Sequence, residues 1–467
     1  MSNCIEPWKA CEIAEAVGGR IVCGNGDAII RGVTTDSRSI PPKSIFFALK
    51  GEIHDAHLFV PHVINEGAIA AIVDRSLPVP HFVTLIQVED TTRALGDFAL
   101  AYRKKFSVQI AGVTGSSGKT SVKNFLAGIS RRRYRTVSTT GNLNNHIGVP
   151  LTLFNLKSKT EKAVIEMGMS VRGEIARLCE IAAPSLGIIT SVGPCHLETL
   201  GSIDEIINAK SELTEYLNLK DGVIILPSDS AHFDELRSRA KCRVVSAGTR
   251  EDSDVRITEL NSDGFAPASF VFRGIPVCLK LPGRHMALNA ALAAAAALEM
   301  GIDSLDIVEG LGSVFPETGR ALAHKLDGVT LVDDAYNSNP LSLSAGISML
   351  SDEEAERRIL VMSDMLELGK ESNEEHAKIG RLISEKKIDV LIYRGEKTSI
   401  TAEESKNVKK IECRDNDEMA EIILKTMRQG DVILVKASHG MRLDEVVRKV
   451  IDRKISSTRA QVISMRK

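Results

Sequence analysis

Aromatic residues are scarce in this chain, 4% of 467 positions with a single tryptophan. That excludes an aromatic platform on which single-stranded nucleic acid could stack. No apolar run approaches the roughly 18 residues of a membrane-spanning helix, and the N-terminus lacks the basic-then-apolar layout of a secretory signal. An excess of either charge is also missing: 59 Lys and Arg stand against 61 Asp and Glu, a formal net charge of −2. A nucleic-acid partner gripped by a broad basic face does not fit that balance. The one dense basic run, Arg131 to Arg135, reads as a solvated helix end. Cysteines occur at 4, 11, 23, 179, 195, 242, 278 and 413, with no CxxC pair or metal-finger spacing. The expectation is a cytoplasmic protein with reduced thiols and no membrane span, working as a monomer.

What is present is an ordinary globular composition, 43% hydrophobic and 26% charged, on a length that suits about three domains of roughly 150 residues each. Residues 1–105 mix short apolar runs (29–33, 44–49, 68–73) with turn signals such as Pro41-Pro42 and Lys50-Gly51. Across 106–316, β-like runs at 163–167, 186–191 and 222–226 alternate with helical patterns, which suggests a mostly parallel sheet covered by helices. An alanine-rich stretch from 287 to 300 reads as a helix stopped by Gly301. The same alternation returns in 317–467, with runs at 329–332, 358–361, 390–393 and 432–435, and points to a doubly wound, Rossmann-like unit. The fold class is α/β in three domains.

The most informative segment is TGSSGKT at residues 114–120, set between an apolar β-like run and a helix-like segment. Backbone N–H groups from Gly115 through Ser116, Ser117 and Gly118 to Thr120 can wrap a phosphate at a helix N-terminus. Lys119 can reach the outer phosphates, and the Thr120 hydroxyl can bind Mg²⁺. The strict Walker spacing asks for glycine at 113, where this chain has Val113.

Downstream, Ser202 and Glu205 form the sequence of a capping box. The helix it opens has an apolar stripe through Ile203, Ile206, Ile207, Leu213 and Leu217, and Lys210 falls on that stripe. An inward lysine is costly unless paired or modified. It either snorkels to solvent or faces the nucleotide pocket, and the pattern leaves both open. Glu166 and His196 each follow an apolar β-like run, at the edge where α/β ligands bind. A carboxylate and an imidazole there suit Mg²⁺ shared with substrate phosphates, although Mg²⁺ prefers oxygen ligands.

Together these motifs resemble the Mur ligase family, ATP-dependent amide-forming enzymes of peptidoglycan precursor synthesis. The likeness spans the chain: TGSSGKTS, GNLNNHIGVPLTL (141–153), EMGMSVRGEIARL (166–178), HLETLGSIDEIINAKSEL (196–213) and LPGRHMALNAALAA (281–294). DDAYNSNP (333–340) and SDMLELG (363–369) are similar to the member type that adds D-alanyl-D-alanine, and TTDSRSIPPKSIFFALKG (34–51) to a UDP-sugar-binding domain.

The resemblance implies a small UDP-binding domain, a P-loop ATPase domain and a Rossmann-like ligase domain. It implies phosphoryl transfer from ATP to the carboxylate of UDP-N-acetylmuramoyl-tripeptide, then attack by the D-Ala-D-Ala amine. Thr120 and Glu166 would ligate one Mg²⁺; His196 and Lys210, the latter as a carbamate, would serve a second. Asn289 would read adenine, Arg320 a phosphate and Asp334 the ribose, with Tyr336 and Asn337 near the nucleotide. Ser37 and Arg38 would hold the uridine diphosphate, and Asn142, Asn144 and Asn145 the substrate side of the ATP loop. Met286, Ser191, His146, Ala437 and His439 depart from the family pattern. Two other readings remain: a relative with a different acceptor, or a nucleotide switch without amide synthesis, which the Glu166/His196/Lys210 set disfavours.

Overall fold

The computed structural model describes residues 3–51 and 53–465, with the backbone alone for 457–465. Three sheets follow one another along the chain. In the first, parallel strands Ile29–Thr34, Ser44–Phe47, Ala70–Val73 and Thr84–Gln87 form the middle, and antiparallel Asn3–Lys9 and Arg20–Cys23 form the edges. Ser44–Phe47 and Ala70–Val73 are buried at every residue, the signature of parallel strands covered on both faces.

The second sheet has nine strands. Seven parallel ones lie in the order Val255–Asn261, Arg243–Gly248, Val223–Pro227, Leu186–Ile189, Gln109–Thr114, Lys162–Glu166 and Thr136–Ser138. With Val255–Asn261, Pro267–Phe272 and Ile275–Pro282 extend it as an antiparallel ribbon. These three strands were not read from the sequence. Ile275–Pro282 alternates buried and exposed residues through much of its length, a half-solvated pattern that lacks the continuous apolar run by which Gln109–Thr114, Lys162–Glu166, Leu186–Ile189 and Val223–Pro227 were recognised; Arg243–Gly248 and Thr136–Ser138 were not read from the sequence either.

Register places the chemistry at one sheet edge. Val113 is opposite both Ile188 and Glu166. The phosphate loop, the Glu166 carboxylate and the chain leaving Ile189 therefore emerge side by side at the carboxyl ends of the strands. Helix Lys119–Ser130 starts within the loop sequence and packs against Arg284–Glu299. Residues Ala290, Ala291 and Ala293 to Ala297 of that second helix are fully buried; side chains this small let helix and sheet approach closely.

The third sheet runs Leu322–Leu326, Val329–Asp333, Asp431–Lys436, Arg357–Ser363, Val390–Arg394, Lys409–Glu412, parallel except for its first strand. The four strands expected from apolar runs are all present. No helix among the described residues is long and apolar enough to cross a membrane.

Two local expectations need correction. Ser202 caps helix Ile203–Asn218 by accepting from the Glu205 N–H. The Glu205 carboxylate, however, accepts from Asn208 and lies near Arg172 instead of returning to the cap, so the box is half made. The basic run is also not simply solvated. Arg132 and Arg133 pair with Asp306, Glu309 and Asp303 around helix Ser304–Gly312, so the exposed cations pin one helix end to its neighbour.

Candidate active site

The phosphate loop is shaped by glycines and by the segment after Ile189. Gly115 has φ +150°, and a Cβ there would lie 2.0 Å from the Thr190 hydroxyl oxygen. Gly118 has φ +83°, and its missing side chain leaves room for the Asn289 amide, which a Cβ would meet at 2.6 Å. Ser116 N–H donates to the Ser191 carbonyl at 2.9 Å, and Ser117 N–H to the Ser191 hydroxyl at 2.9 Å. Ser191, a departure from the family pattern, is thus a working brace of the loop. The Lys119 ammonium donates to the Gly115 carbonyl at 2.7 Å, curled over the loop it is expected to serve.

Glu166 is 2% exposed. Its Oε1 accepts from the Asn144 amide at 2.8 Å, and its backbone N–H donates to the Thr139 hydroxyl at 2.9 Å. Oε2 is buried with no partner among the described residues, and an ionised oxygen left so is costly. Lys123, buried in the loop helix, donates to the Thr139 carbonyl at 3.0 Å. Burial holds its ammonium below the usual lysine range, while the Glu166 charge opposes that shift.

Of the two alternatives left by the helix pattern, burial excludes one: Lys210 is 1% exposed and does not snorkel. Burial lowers its pKa to about 8, with Cys195 opposing and Lys119 adding to the shift. A neutral amine is therefore accessible near physiological pH. Lys210 does not itself line the cavity described below. His196 does, and its Nδ1 stands 2.6 Å from Oε2 of Glu367 in the third-sheet domain. That contact keeps the Glu367 carboxyl below its ordinary range.

The third sheet reaches the loop directly. Arg320 donates to the Thr120 hydroxyl at 3.0 Å, and its guanidinium stacks 4.2 Å over the Tyr336 ring. Asn339 donates to the Ser116 carbonyl at 3.3 Å. Asp334 accepts from Lys436 at 2.7 Å and from the Ala321 N–H at 3.2 Å; Lys436 also donates to the Asn337 carbonyl at 3.0 Å. His285, half-buried in the wall of the same site, is pushed down to about 4 by burial, with Asp334 opposing and Lys436 adding.

A cavity of about 1640 Å³ unites these parts. Ser116 to Thr120, Glu166, His196 and Asn289 line it from the second sheet, together with Asn144 and Asn145; Arg320, Asp334, Tyr336 and Asn337 line it from the third. Gly115 and Asn142 are not among its walls, and Asn142 is exposed. The Asn145 side-chain oxygen accepts from the Ile147 and Gly148 N–H groups, turning the chain into helix Gly148–Leu153. Ser37 and Arg38 lie on the first-sheet domain away from the cavity, where Arg38 forms a forked pair with Asp36 at 2.8 and 2.9 Å and lowers that carboxyl to about 2.

Sequence reasoning did not single out Lys436, Glu367, Lys123 or His285. A lysine immediately after the buried run 432–435 was the available signal for Lys436, since polar residues at a strand's carboxyl end face the ligand edge. Glu367 lay inside a quoted motif without a role.

Regions 113–297 and 319–439 match the Mur ligase middle domain and the "Mur ligase, glutamate ligase domain". The chain belongs to the Mur ligase family. Within it, the chain is 35% identical to the UDP-N-acetylmuramoyl-tripeptide--D-alanyl-D-alanine ligase of Bacillus subtilis (strain 168), covering 95% of this chain and 98% of that one. It is 33% identical to the Escherichia coli (strain K12) enzyme of that name, over 90% and 94%. Among solved Mur ligases, MurF from Acinetobacter baumannii superimposes with a TM-score of 0.89 at 32% identity, over 96% and 99% of the two chains. MurF from Thermotoga maritima in complex with ADP gives 0.81 at 26%, over 91% and 98%.

For a Mur ligase implied to use Mg²⁺, the residues present are a fit. The orphaned Glu166 Oε2 and the Thr120 hydroxyl are hard oxygen donors at the loop. No group of three or more His, Cys, Asp and Glu able to hold a metal occurs among the described residues. The site therefore suits an ion that takes its remaining ligands from phosphate and water.

Proposed function

We propose that this chain is an ATP-dependent ligase joining D-alanyl-D-alanine to the carboxylate of UDP-N-acetylmuramoyl-tripeptide, in peptidoglycan precursor synthesis. The observation that carries this reading is the single cavity in which Lys119, Thr120 and Glu166 of one sheet meet Arg320, Asp334 and Tyr336 of another. The full-length likeness to ligases of that name supports the choice of substrates.

A carboxylate is a poor acyl donor, and phosphorylation gives it a leaving group. ATP and the carboxylate are both anionic, so the protein must position them and neutralise charge. The loop N–H groups of Gly118, Lys119 and Thr120 cradle the phosphates, those of Ser116 and Ser117 being held by Ser191. Lys119 leaves the Gly115 carbonyl to pair with them, and Arg320 swings from Thr120 to the same group. Asn289, beside Gly118, reads adenine; Asp334, held by Lys436, takes the ribose hydroxyls, and Tyr336 and Asn337 flank the nucleotide. Asn144 steadies Glu166. Bound Mg²⁺, held by Thr120 and Glu166, would offset the charge building on the transferring phosphoryl group. Lys210 as a CO₂ adduct, together with His196, would serve a second ion.

Residues 1–105 hold the uridine diphosphate end through Ser37 and Arg38, with Asn142, Asn144 and Asn145 on the substrate side of the loop. Residues 106–316 carry ATP and residues 317–467 the incoming dipeptide. Because Ser37 and Arg38 lie away from the cavity, the three parts are expected to close on the long substrate. The chain works as a cytoplasmic monomer in this reading. ADP release from purified protein with UDP-N-acetylmuramoyl-tripeptide, measured with and without D-Ala-D-Ala, tests the whole reading. Stimulation by the dipeptide is expected; its absence sinks the assignment of acceptor.

A further inference from the structure

His196 and Glu367 share an uncommon backbone state. Their φ values are +52° and +64°, both in the left-handed region that non-glycine residues seldom adopt. Such strain persists where surrounding contacts impose it, and it clusters at functional sites. Here the two strained residues face each other across the boundary between the second- and third-sheet domains, with Nδ1 of His196 2.6 Å from Oε2 of Glu367.

Two further contacts fix the same junction. The Glu198 N–H donates to the Glu367 carbonyl at 3.2 Å. Gly369, at φ +53°, sits so close that a Cβ would come within 2.8 Å of the Glu198 Cα. The loop 364–368, between strand Arg357–Ser363 and the turn that starts at Gly369, is thus seated on the segment that carries His196. His196 lines the cavity and Glu367 does not, so the carboxylate engages the ring from outside. Glu367 is 60% exposed and holds no core together.

A neutral imidazole donates from one nitrogen and accepts at the other. A carboxylate behind the ring fixes which is which, and sets the ring's orientation and basicity. We propose that Glu367 is a positioning residue for His196, accepting from Nδ1–H and leaving Nε2 as the free nitrogen of the cavity-lining ring. The site in the second-sheet domain is then complete only when the third-sheet loop is seated. This rests on His196 belonging to the active site proposed above.

The test uses the full-length, metal-free chain with nitrogen-15-labelled histidine at about pH 8, where an ordinary histidine is neutral. Long-range proton–nitrogen correlation reads the tautomer, with His196→Asn identifying the ring's signals. Glu367→Leu is expected to shift His196 toward the Nε2–H form and to lower kcat about 10- to 100-fold, with KM for ATP within about twofold. Glu367→Gln, whose amide oxygen still accepts, should keep both the tautomer and most of the rate. An unmoved tautomer in Glu367→Leu, or a moved one with unchanged kcat, overturns the proposal. Wild-type turnover in His196→Asn would instead remove His196 from the active site, a separate failure of the underlying reading.

Discussion

Arg320 of the third-sheet domain donates to the hydroxyl of Thr120 in the phosphate loop at 3.0 Å. The residue expected to meet a phosphate thus bonds the hydroxyl expected to meet the metal. Stacking on Tyr336 at 4.2 Å holds the guanidinium at that height above the loop. Arg320→Ala should lose a charge-assisted hydrogen bond of about 1.5–3 kcal/mol, lowering kcat/KM for ATP roughly 10- to 100-fold. Steady-state kinetics with ATP varied checks this, and an unchanged kcat/KM would show that Arg320 only braces Thr120.

Gly115 gives a backbone test of the loop. At φ +150°, with the Thr190 hydroxyl oxygen 2.0 Å from a would-be Cβ, alanine meets both strain and collision. Gly115→Ala should cost about 1–3 kcal/mol locally and weaken ADP binding about tenfold or more. Calorimetric titration with ADP measures it. A variant that binds ADP normally would mean the loop tolerates another shape.

Much of this site was legible from local pattern. TGSSGKT sits between a strand and a helix because its glycines permit the turn, and Glu166 falls level with Val113 because two continuous apolar runs pair in parallel. Lys210 was visible as an error in an amphipathic stripe, and the fold resolves it as fully buried. Contacts between distant segments were not legible. Nothing in the sequence pairs His196 with Glu367, a meeting that depends on how two sheets are set against each other, or Asp334 with Lys436, which meet because strands Val329–Asp333 and Asp431–Lys436 are neighbours in the third sheet. The antiparallel ribbon from 255 to 282 escaped notice because half-exposed strands carry a weaker apolar signal.

The carbamate assigned to Lys210 can be probed by chemical rescue. Lys210→Ala removes the amine and leaves a buried space in the middle of the apolar stripe. If the working group is a carboxylated lysine, turnover should fall about 100-fold or more and recover in part with short carboxylates such as acetate or formate. Loss without rescue would leave the amine itself, or its packing, as the reason for the defect.

Stability offers an independent reading of the same residue. Burial lowers the Lys210 pKa from 10.5 to about 8. Between those values the unfolded chain holds a proton that the folded chain does not, so stability contributed by this site rises with pH across that window. Below about pH 8 the folded state bears the full cost of a buried ammonium, on the order of 3 kcal/mol; above about 10.5 the cost is gone. Lys210→Met, similar in length and uncharged, should therefore be more stable than the parent at neutral pH. Its advantage should shrink steadily as pH rises from about 8 to 10.5. Urea unfolding of both proteins in buffer purged of CO₂ measures the difference, and the purge keeps the amine free of adduct. A stability difference flat across that range would mean Lys210 titrates near its ordinary pKa, and the ready supply of neutral amine for carboxylation would go with it.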